Sequence, residues 1–431
     1  MEYGYDVKPI PLKDRMYNFL DVYNIWFGAG ISIAEFWAGA VLIYPLGLDF
    51  PTALLAIIIG HLIGNALLSA VGLMGFTSGV PTMVLTRRPL GVKGSYLASL
   101  LNYLQLIGWT AVMLIVGALA MNKVSSAIVK ADLYYLWIIT LGAIVALWSL
   151  SGPEKWRSLE KLSALALSLL SIWLVVVIAT NYDLGSIGYL PTTLNAKFWI
   201  GVDLVVAMPI SWAPLIADYT RFSKSGRSAF LGSYLGYFIS SSLFYALGAL
   251  SNFIAGELDP IGIVAFYGLG IPALIIIVLS TVTTTFLDVY SAAITVKNVL
   301  SKASVKRQIV LASVLGTLLA IVFPVHQYEW FLLIIGGAFT SLTGIMVADF
   351  MLDKVKYKNS FYSCEQISIP TIAIWFTGFL LYMLLAASSL IPGLTIPVFS
   401  ELGSTLGSSI ATVIAVMSLY VTYRKLWGDR K

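Results

Sequence analysis

Twelve apolar runs follow one another along this chain, at 19–44, 51–74, 95–121, 133–150, 160–180, 197–218, 228–251, 272–296, 308–323, 329–350, 369–391 and 403–424. A helix of about 20 apolar residues crosses a bilayer, and lipid offers its backbone no other hydrogen-bond partners. The expected fold class is therefore all-α integral membrane with twelve transmembrane helices. Composition agrees, because only 11% of the 431 residues are charged, against about 25% in soluble domains. The net charge of +5 is then a topology signal and not a nucleic-acid footprint. With the N-terminus placed in the cytoplasm, 23 of the 26 lysines and arginines fall in inner segments and only Lys123, Lys130 and Lys197 in outer loops. That split predicts a multi-pass protein of the cell (plasma or inner) membrane with both termini cytoplasmic. One cysteine, Cys364, and two histidines, His61 and His326, exclude an intrachain disulfide and a zinc centre. The polar segment 1–18 reads as a cytoplasmic tail with no removable signal peptide.

Polar residues inside the runs carry the functional information. The run 272–296 contains Leu279-Ser280-Thr281-Val282-Thr283-Thr284-Thr285-Phe286-Leu287-Asp288. Thr281, Thr284, Thr285 and Asp288 recur at intervals of three and four, so they share one helix face. A carboxylate near mid-bilayer costs roughly 3 kcal/mol on insertion scales, so another element should meet that face. A lone threonine in such a helix often bonds back to the carbonyl four residues earlier. The adjacent pair Thr283–Thr284 opposite a broken helix points instead to an ion site.

Two runs have the character of broken helices. The first reads Trp26-Phe27-Gly28-Ala29-Gly30-Ile31-Ser32-Ile33-Ala34-Glu35, with glycines and a serine just before a carboxylate. The sixth carries Met208-Pro209-Ile210-Ser211-Trp212-Ala213-Pro214, where each proline removes an amide donor and favours a break. Interrupted helices at corresponding places in two halves mark a transporter's binding site. Spans 1 and 6 start about 178 residues apart and spans 3 and 8 about 177, which fits two inverted five-helix repeats followed by two extra helices. The expected division is 1–18 tail, 19–182 first repeat, 183–352 second repeat, and 353–431 for helices 11 and 12 with the C-terminus. Span 3 places Gln105 and Trp109 on one face at mid-membrane depth, and Trp212 lies equally deep in span 6. Two central indoles with a carboxamide suit a flat, hydrogen-bonding ligand. Asp203 and His61 read as structural. Asp218 with Arg221, and Asp349 with Lys354, read as ion pairs at inner helix ends.

Several stretches together resemble the nucleobase:cation symporter family of cytosine, hydantoin and related permeases. They are Leu90-Gly91-Val92-Lys93-Gly94-Ser95, the segment Gln105 to Trp109, and Ala217-Asp218-Tyr219-Thr220-Arg221-Phe222. The segments 31–35, 104–113 and 284–292 are similar to a narrower branch, the hydroxymethylpyrimidine permeases, which import a thiamine precursor. The resemblance implies the leucine-transporter fold with broken helices 1 and 6. It implies a sodium site on the carbonyls of Gly28, Ile31 and Ser280 and the hydroxyls of Thr283 and Thr284. It also implies stacking positions at Trp109 and at Ser211–Trp212. Where cytosine permeases carry asparagines after the threonine pair, this chain has Thr285, Phe286 and Leu287, followed by Asp288; Glu35 likewise replaces an apolar position. These departures favour a ligand richer in donors than cytosine, such as an aminopyrimidine.

The expected function is sodium-coupled import of a planar aminopyrimidine or nucleobase-like solute by alternating access, with a bundle of spans 1, 2, 6 and 7 rocking against spans 3, 4, 8 and 9. Ser32, Glu35, Gln105, Trp109, Ser211, Trp212 and Asp288 are the expected substrate residues. Sodium is the expected coupling ion, with no other cofactor and no nucleic-acid partner. The alternatives are proton coupling through Glu35 or Asp288, a membrane enzyme, and a channel.

Overall fold

The computed structural model describes residues 6–181, 194, 196–255, 270–322, 328–353, 361, 365–390 and 396–427. Cys364, His326, Lys354, Lys356, Lys358, Arg430, Lys431 and the boundary expected at 182–183 lie outside the described residues. The first half comprises α1 (Phe19–Gly30), α2 (Ile33–Ile43), α3 (Phe50–Ser78), α4 (Thr82–Leu85), α5 (Arg87–Leu90), α6 (Gly94–Val129), α7 (Tyr134–Leu150) and α8 (Pro153–Asn181). The second comprises α9 (Ala196–Trp212), α10 (Ala217–Thr220), α11 (Gly226–Ala255), α12 (Gly270–Val299), α13 (Val305–Val322) and α14 (Tyr328–Leu352). Beyond these lie α15 (Ile369–Leu390), α16 (Pro397–Leu406) and α17 (Ser408–Trp427). Among the described residues eight helices are long and apolar enough to cross a membrane, or ten if two bent pairs each count once. The shorter apolar helix α7 and the seventeen-residue α9 stand at the other two expected spans, 133–150 and 197–218, so the count is roughly that expected. The last span starts later than its apolar run, because Gly407 (φ +72°) separates α16 from α17.

The first break is built locally. Asn18 and Asp21 form a reciprocal cap that starts α1. Ile31 (φ −97°, ψ 85°) and Ser32 (φ −138°, ψ 158°) then leave the helix, and α2 departs at 55° to α1. The Ser32 hydroxyl accepts from the Glu35 amide at 3.2 Å, restarting the helix as a side-chain cap. The sixth span breaks within the expected stretch, but α9 runs through Pro209 and ends at Trp212, just ahead of Pro214. Proline costs one hydrogen bond in the helix, and close support limits the damage. Gly64 of α3 supplies that support, since a side chain there would meet the Pro209 ring at 2.9 Å.

The helices sort into two packed groups joined by α8. One contains α1, α2, α3, α9 and α11; the other contains α6, α7, α12 and α13. These are spans 1, 2, 6 and 7 and spans 3, 4, 8 and 9. In the first group α2 and α11 touch through backbone: a Cβ at Gly39 would strike the Tyr245 carbonyl, and one at Gly248 the Phe36 carbonyl. Small residues at such crossings let helices approach closely where lipid provides no hydrophobic drive. His61 lies inside this group, with Nδ1 2.9 Å from the Ile57 carbonyl and Nε2 2.7 Å from the Ser241 hydroxyl. Helix α8 packs against both α1 and α12, and α14 packs with α15 and α17.

The end carrying most of the basic residues is closed by polar contacts. Tyr17 donates its amide to the Phe222 carbonyl at 2.9 Å, and its hydroxyl donates to the Pro153 carbonyl at 2.9 Å. Arg221 donates to the Tyr290 hydroxyl at 2.9 Å, to the Asp6 carbonyl and to the Asp218 carbonyl. The Asp218 carboxylate instead accepts the Thr82 amide at 2.8 Å, so the expected Asp218–Arg221 ion pair is replaced by separate anchors. Asp349 is held by Arg88 at 2.7 Å and Arg424 at 2.8 Å. These two arginines approach it from the segment before span 3 and from span 12, which local sequence cannot indicate. At the opposite end, Asp203 accepts the Ser408 and Ser409 amides at 2.9 and 2.8 Å, a carboxylate capping the start of α17.

Candidate substrate and cation site

A small cavity lies where the two groups face each other. Ser32, Ala34 and Glu35 line it from the first break, and Gln105, Leu106, Trp109 and Met113 from α6. Met208, Ser211, Trp212 and Leu215 line it from the second break, and Thr284 and Asp288 from α12. The seven residues expected to meet substrate are thus brought together in one space.

Their polar atoms are only partly used by the protein. The Tyr237 hydroxyl donates to Glu35 Oε1, and Trp212 Nε1 donates to that hydroxyl at 2.8 Å. Glu35 Oε2 is buried with no hydrogen-bond partner among the described residues. Gln105 Nε2 donates to Asn102 Oδ1 at 2.8 Å, and Asn102 in turn donates to Thr295 at 2.8 Å. That chain fixes the carboxamide and leaves Gln105 Oε1 without a partner among the described residues. Asp288 is nearly fully buried on the cavity wall. Buried acceptors left open are costly unless a ligand supplies donors. The Trp212 ring is set edge-on to Trp26, with centroids 6.0 Å apart at 85°. Its orientation is therefore fixed by packing as well as by Tyr237.

The residues expected to hold sodium lie at the α1–α12 contact. A Cβ on Gly28 would sit 3.5 Å from Thr283 Cβ and 3.8 Å from Thr283 Oγ1, so these two positions face each other. Thr284 shares the cavity wall with Ser32. The Thr283 hydroxyl donates to the Leu279 carbonyl at 2.8 Å and the Thr284 hydroxyl to the Ser280 carbonyl at 2.5 Å. Back-bonding consumes the hydroxyl proton but leaves oxygen lone pairs available to a cation. Ile31 donates its amide to the Gly28 carbonyl at 3.2 Å, an oxygen with a second lone pair. No group of three or more histidine, cysteine or acidic residues suited to a metal occurs among the described residues. Neutral oxygens of this kind suit a hard monovalent cation better than a transition metal.

The shared face expected on α12 divides in two. Thr284 and Asp288 meet the cavity, whereas Thr281 packs on Gly117 of α6 and Thr285 bonds back to the Thr281 carbonyl at 2.6 Å. Three functional neighbours escape sequence reasoning: Tyr237, Asn102 and Glu160. Glu160 is fully buried on α8, with Oε2 2.8 Å from where a Gly28 side chain would begin. The spacing Trp156, Glu160, Ser163, Leu167, Ser171 on the buried side of α8 is the signal that places it inward.

Comparison with known proteins agrees with this architecture. A family model described as permease for cytosine/purines, uracil, thiamine, allantoin matches residues 9–410. The chain is 26% identical over 412 residues to the cytosine permease of Escherichia coli K12, covering 94% of this chain and 93% of that protein. It is 23% identical over 368 residues to the hydantoin permease of Microbacterium maritypicum, covering 80% and 75%. Its structure superposes on that of MHP1, a nucleobase-cation-symport-1 family transporter in a closed conformation with bromovinylhydantoin bound, with a TM-score of 0.80, 19% identity and coverage of 100% and 97%. A Na+-coupled sialic acid symporter in a substrate-bound outward-open state gives a TM-score of 0.67 at 16% identity, covering 99% and 93%. The relatives are permeases, which removes the membrane-enzyme and channel alternatives, and the fold is that of leucine-transporter-like proteins. The chain belongs to the family of permeases for cytosine and purines, uracil, thiamine and allantoin, the nucleobase:cation symporters.

Proposed function

We propose that this protein imports a planar aminopyrimidine or nucleobase-like solute, hydroxymethylpyrimidine or a cytosine-like base, by sodium-coupled alternating access. The observation that carries this is a single cavity in which two carboxylates and a carboxamide oxygen face two indoles. A flat heterocycle fits between aromatic surfaces, and its amine and ring N–H supply the donors that Glu35, Gln105 and Asp288 lack. The names of the relatives, cytosine and hydantoin permeases, point to planar N–H-bearing rings. Asp288 favours an amino ligand over an oxo one, because a carboxylate only accepts. Sodium would bind the carbonyls of Gly28, Ile31 and Ser280 and the hydroxyls of Thr283 and Thr284. It would tie α1 to α12 and so favour one orientation of the two groups. The two five-helix repeats, 19–182 and 183–352, supply these groups; residues 353–431 lie outside the moving parts, and both termini face the cytoplasm.

A thermal-shift screen of purified protein against pyrimidines and purines, in sodium or in potassium, tests this proposal. Stabilisation by aminopyrimidines that grows with sodium is the expected result. A response to oxo-pyrimidines alone would reverse the assignment of Asp288. Indifference to sodium, with uptake into liposomes following a pH gradient, would establish the second candidate, proton coupling through Glu35 or Asp288. The burial of both carboxylates motivates that candidate.

A further inference from the structure

Glu160 has a location that substrate recognition does not explain. It is fully buried on α8, and both its carboxylate oxygens lack a hydrogen-bond partner among the described residues. The basic residue one turn earlier, Arg157, is committed to Asp21 at 2.8 Å. The Trp148 indole N–H approaches Glu160 without full hydrogen-bond geometry, and as a neutral donor it leaves the carboxylate's charge unbalanced. Glu160 does not line the substrate cavity. Its Oε2 and Thr283 Oγ1 lie 2.8 and 3.8 Å from the same point, the place where a side chain on Gly28 would begin. Thr283 spends its hydroxyl proton on the Leu279 carbonyl, so what converges there are acceptors. A fully buried carboxylate with a second acceptor beside it needs a positive charge to balance it.

We propose that Glu160 is the anionic ligand of a sodium-binding position shared with Gly28 and Thr283, where α8 meets the α1–α12 contact. It rests on the sodium coupling proposed above and adds a third helix to that site. One carboxylate with neutral oxygens balances a single positive charge. Calcium prefers six to eight oxygens, usually from several carboxylates, and Glu160 has no acidic partner in a metal-binding group among the described residues. Glycine at position 28 leaves room for the carboxylate, which a side chain there would displace. Seven residues in from Pro153, Glu160 lies roughly 10 Å from the start of α8 at the basic end.

The test is a sodium titration of thermal stability, without substrate, on the parent, Glu160→Gln and Glu160→Asp. In the parent, sodium should raise the melting temperature and potassium should not. Glu160→Gln should weaken apparent sodium affinity at least tenfold while matching or exceeding the parent's stability in sodium-free buffer, since an unbalanced charge is gone. Glu160→Asp, which keeps the charge on a shorter arm, should fall between the two. Should Glu160→Gln fail to fold, the aspartate variant decides alone, and parent-like sodium affinity there overturns the proposal. A glutamine variant less stable in sodium-free buffer, with an unchanged sodium increment, overturns it while leaving sodium coupling intact. A parent indifferent to sodium overturns the coupling and this site with it.

Discussion

At the basic end, Asp349 is held by Arg88, Arg424 and the Tyr420 hydroxyl, and Arg221 spends its donors on Tyr290, Asp6 and Asp218. In the cavity, Glu35 keeps Oε2 open, Gln105 keeps Oε1 open, and Asp288 faces the same empty space. Both regions are buried and both hold acidic groups. The difference is who supplies the partner. At the basic end the protein does, so removing one member leaves another stranded. In the cavity the partner is left to the ligand, so substitutions there should be felt in binding far more than in folding. The price of such openness is met by the packing of the surrounding helices.

The largest effect tests the first half of this contrast. Asp349→Asn should destabilise the protein by about 1–3 kcal/mol, because the buried Arg88 is left with Asp353 alone and the partly exposed Arg424 loses its carboxylate; chemical unfolding in detergent reads it. Replacing Thr283 and Thr284 together by valine should abolish sodium-stimulated uptake in liposomes yet leave unfolding near that of the parent. A large loss of stability in that double variant would move the pair to the self-satisfied class. Asp288→Asn should cost aminopyrimidine binding about tenfold or more and oxo-pyrimidine binding much less, since a mispaired buried group drives selectivity. Equal losses for both ligands, measured by calorimetry, would remove Asp288 from recognition. Trp109→Ala should weaken ligand binding by roughly 1–3 kcal/mol, the range for ring stacking, with Trp109→Phe recovering part. The smallest effect is Arg157→Ala. Arg157 itself is half-exposed and Asp21 keeps the Asn18 amide, so the loss should stay within about 1 kcal/mol; a larger one would mean that the buried Asp21 carboxylate depends on Arg157.

Much of this was legible in the chain because lipid makes polar residues conspicuous. Thr283, Thr284 and Asp288 stand out in an apolar run, and Gly28 to Ser32 mark a break at the position where the helix ends. What was not legible depends on neighbours distant in sequence. Glu160 sits between Arg157 and Lys161 and reads as an ordinary helix-end charge until α1 and α12 are seen to bury it. Tyr237 carries no mark of its own, being one tyrosine among many until Glu35 and Trp212 converge on its hydroxyl. Of the two prolines in span 6 only Pro214 lies at the break. The preference of Pro209 yielded to the close support of Gly64, and the helix ends at Trp212.

The cavity wall is divided between the two helix groups, and that division has a pharmacological consequence. Glu35, Ser211 and Trp212 belong to one group, and Gln105, Trp109, Thr284 and Asp288 to the other. On the proposed mechanism, a compound that satisfies only one wall gains affinity without drawing the walls together, so it occupies the site as a blocker. A ring small enough to touch both walls at once becomes cargo. Extending a good ligand beyond the span between Glu35 and Asp288 should therefore convert substrates into inhibitors while their affinity still rises.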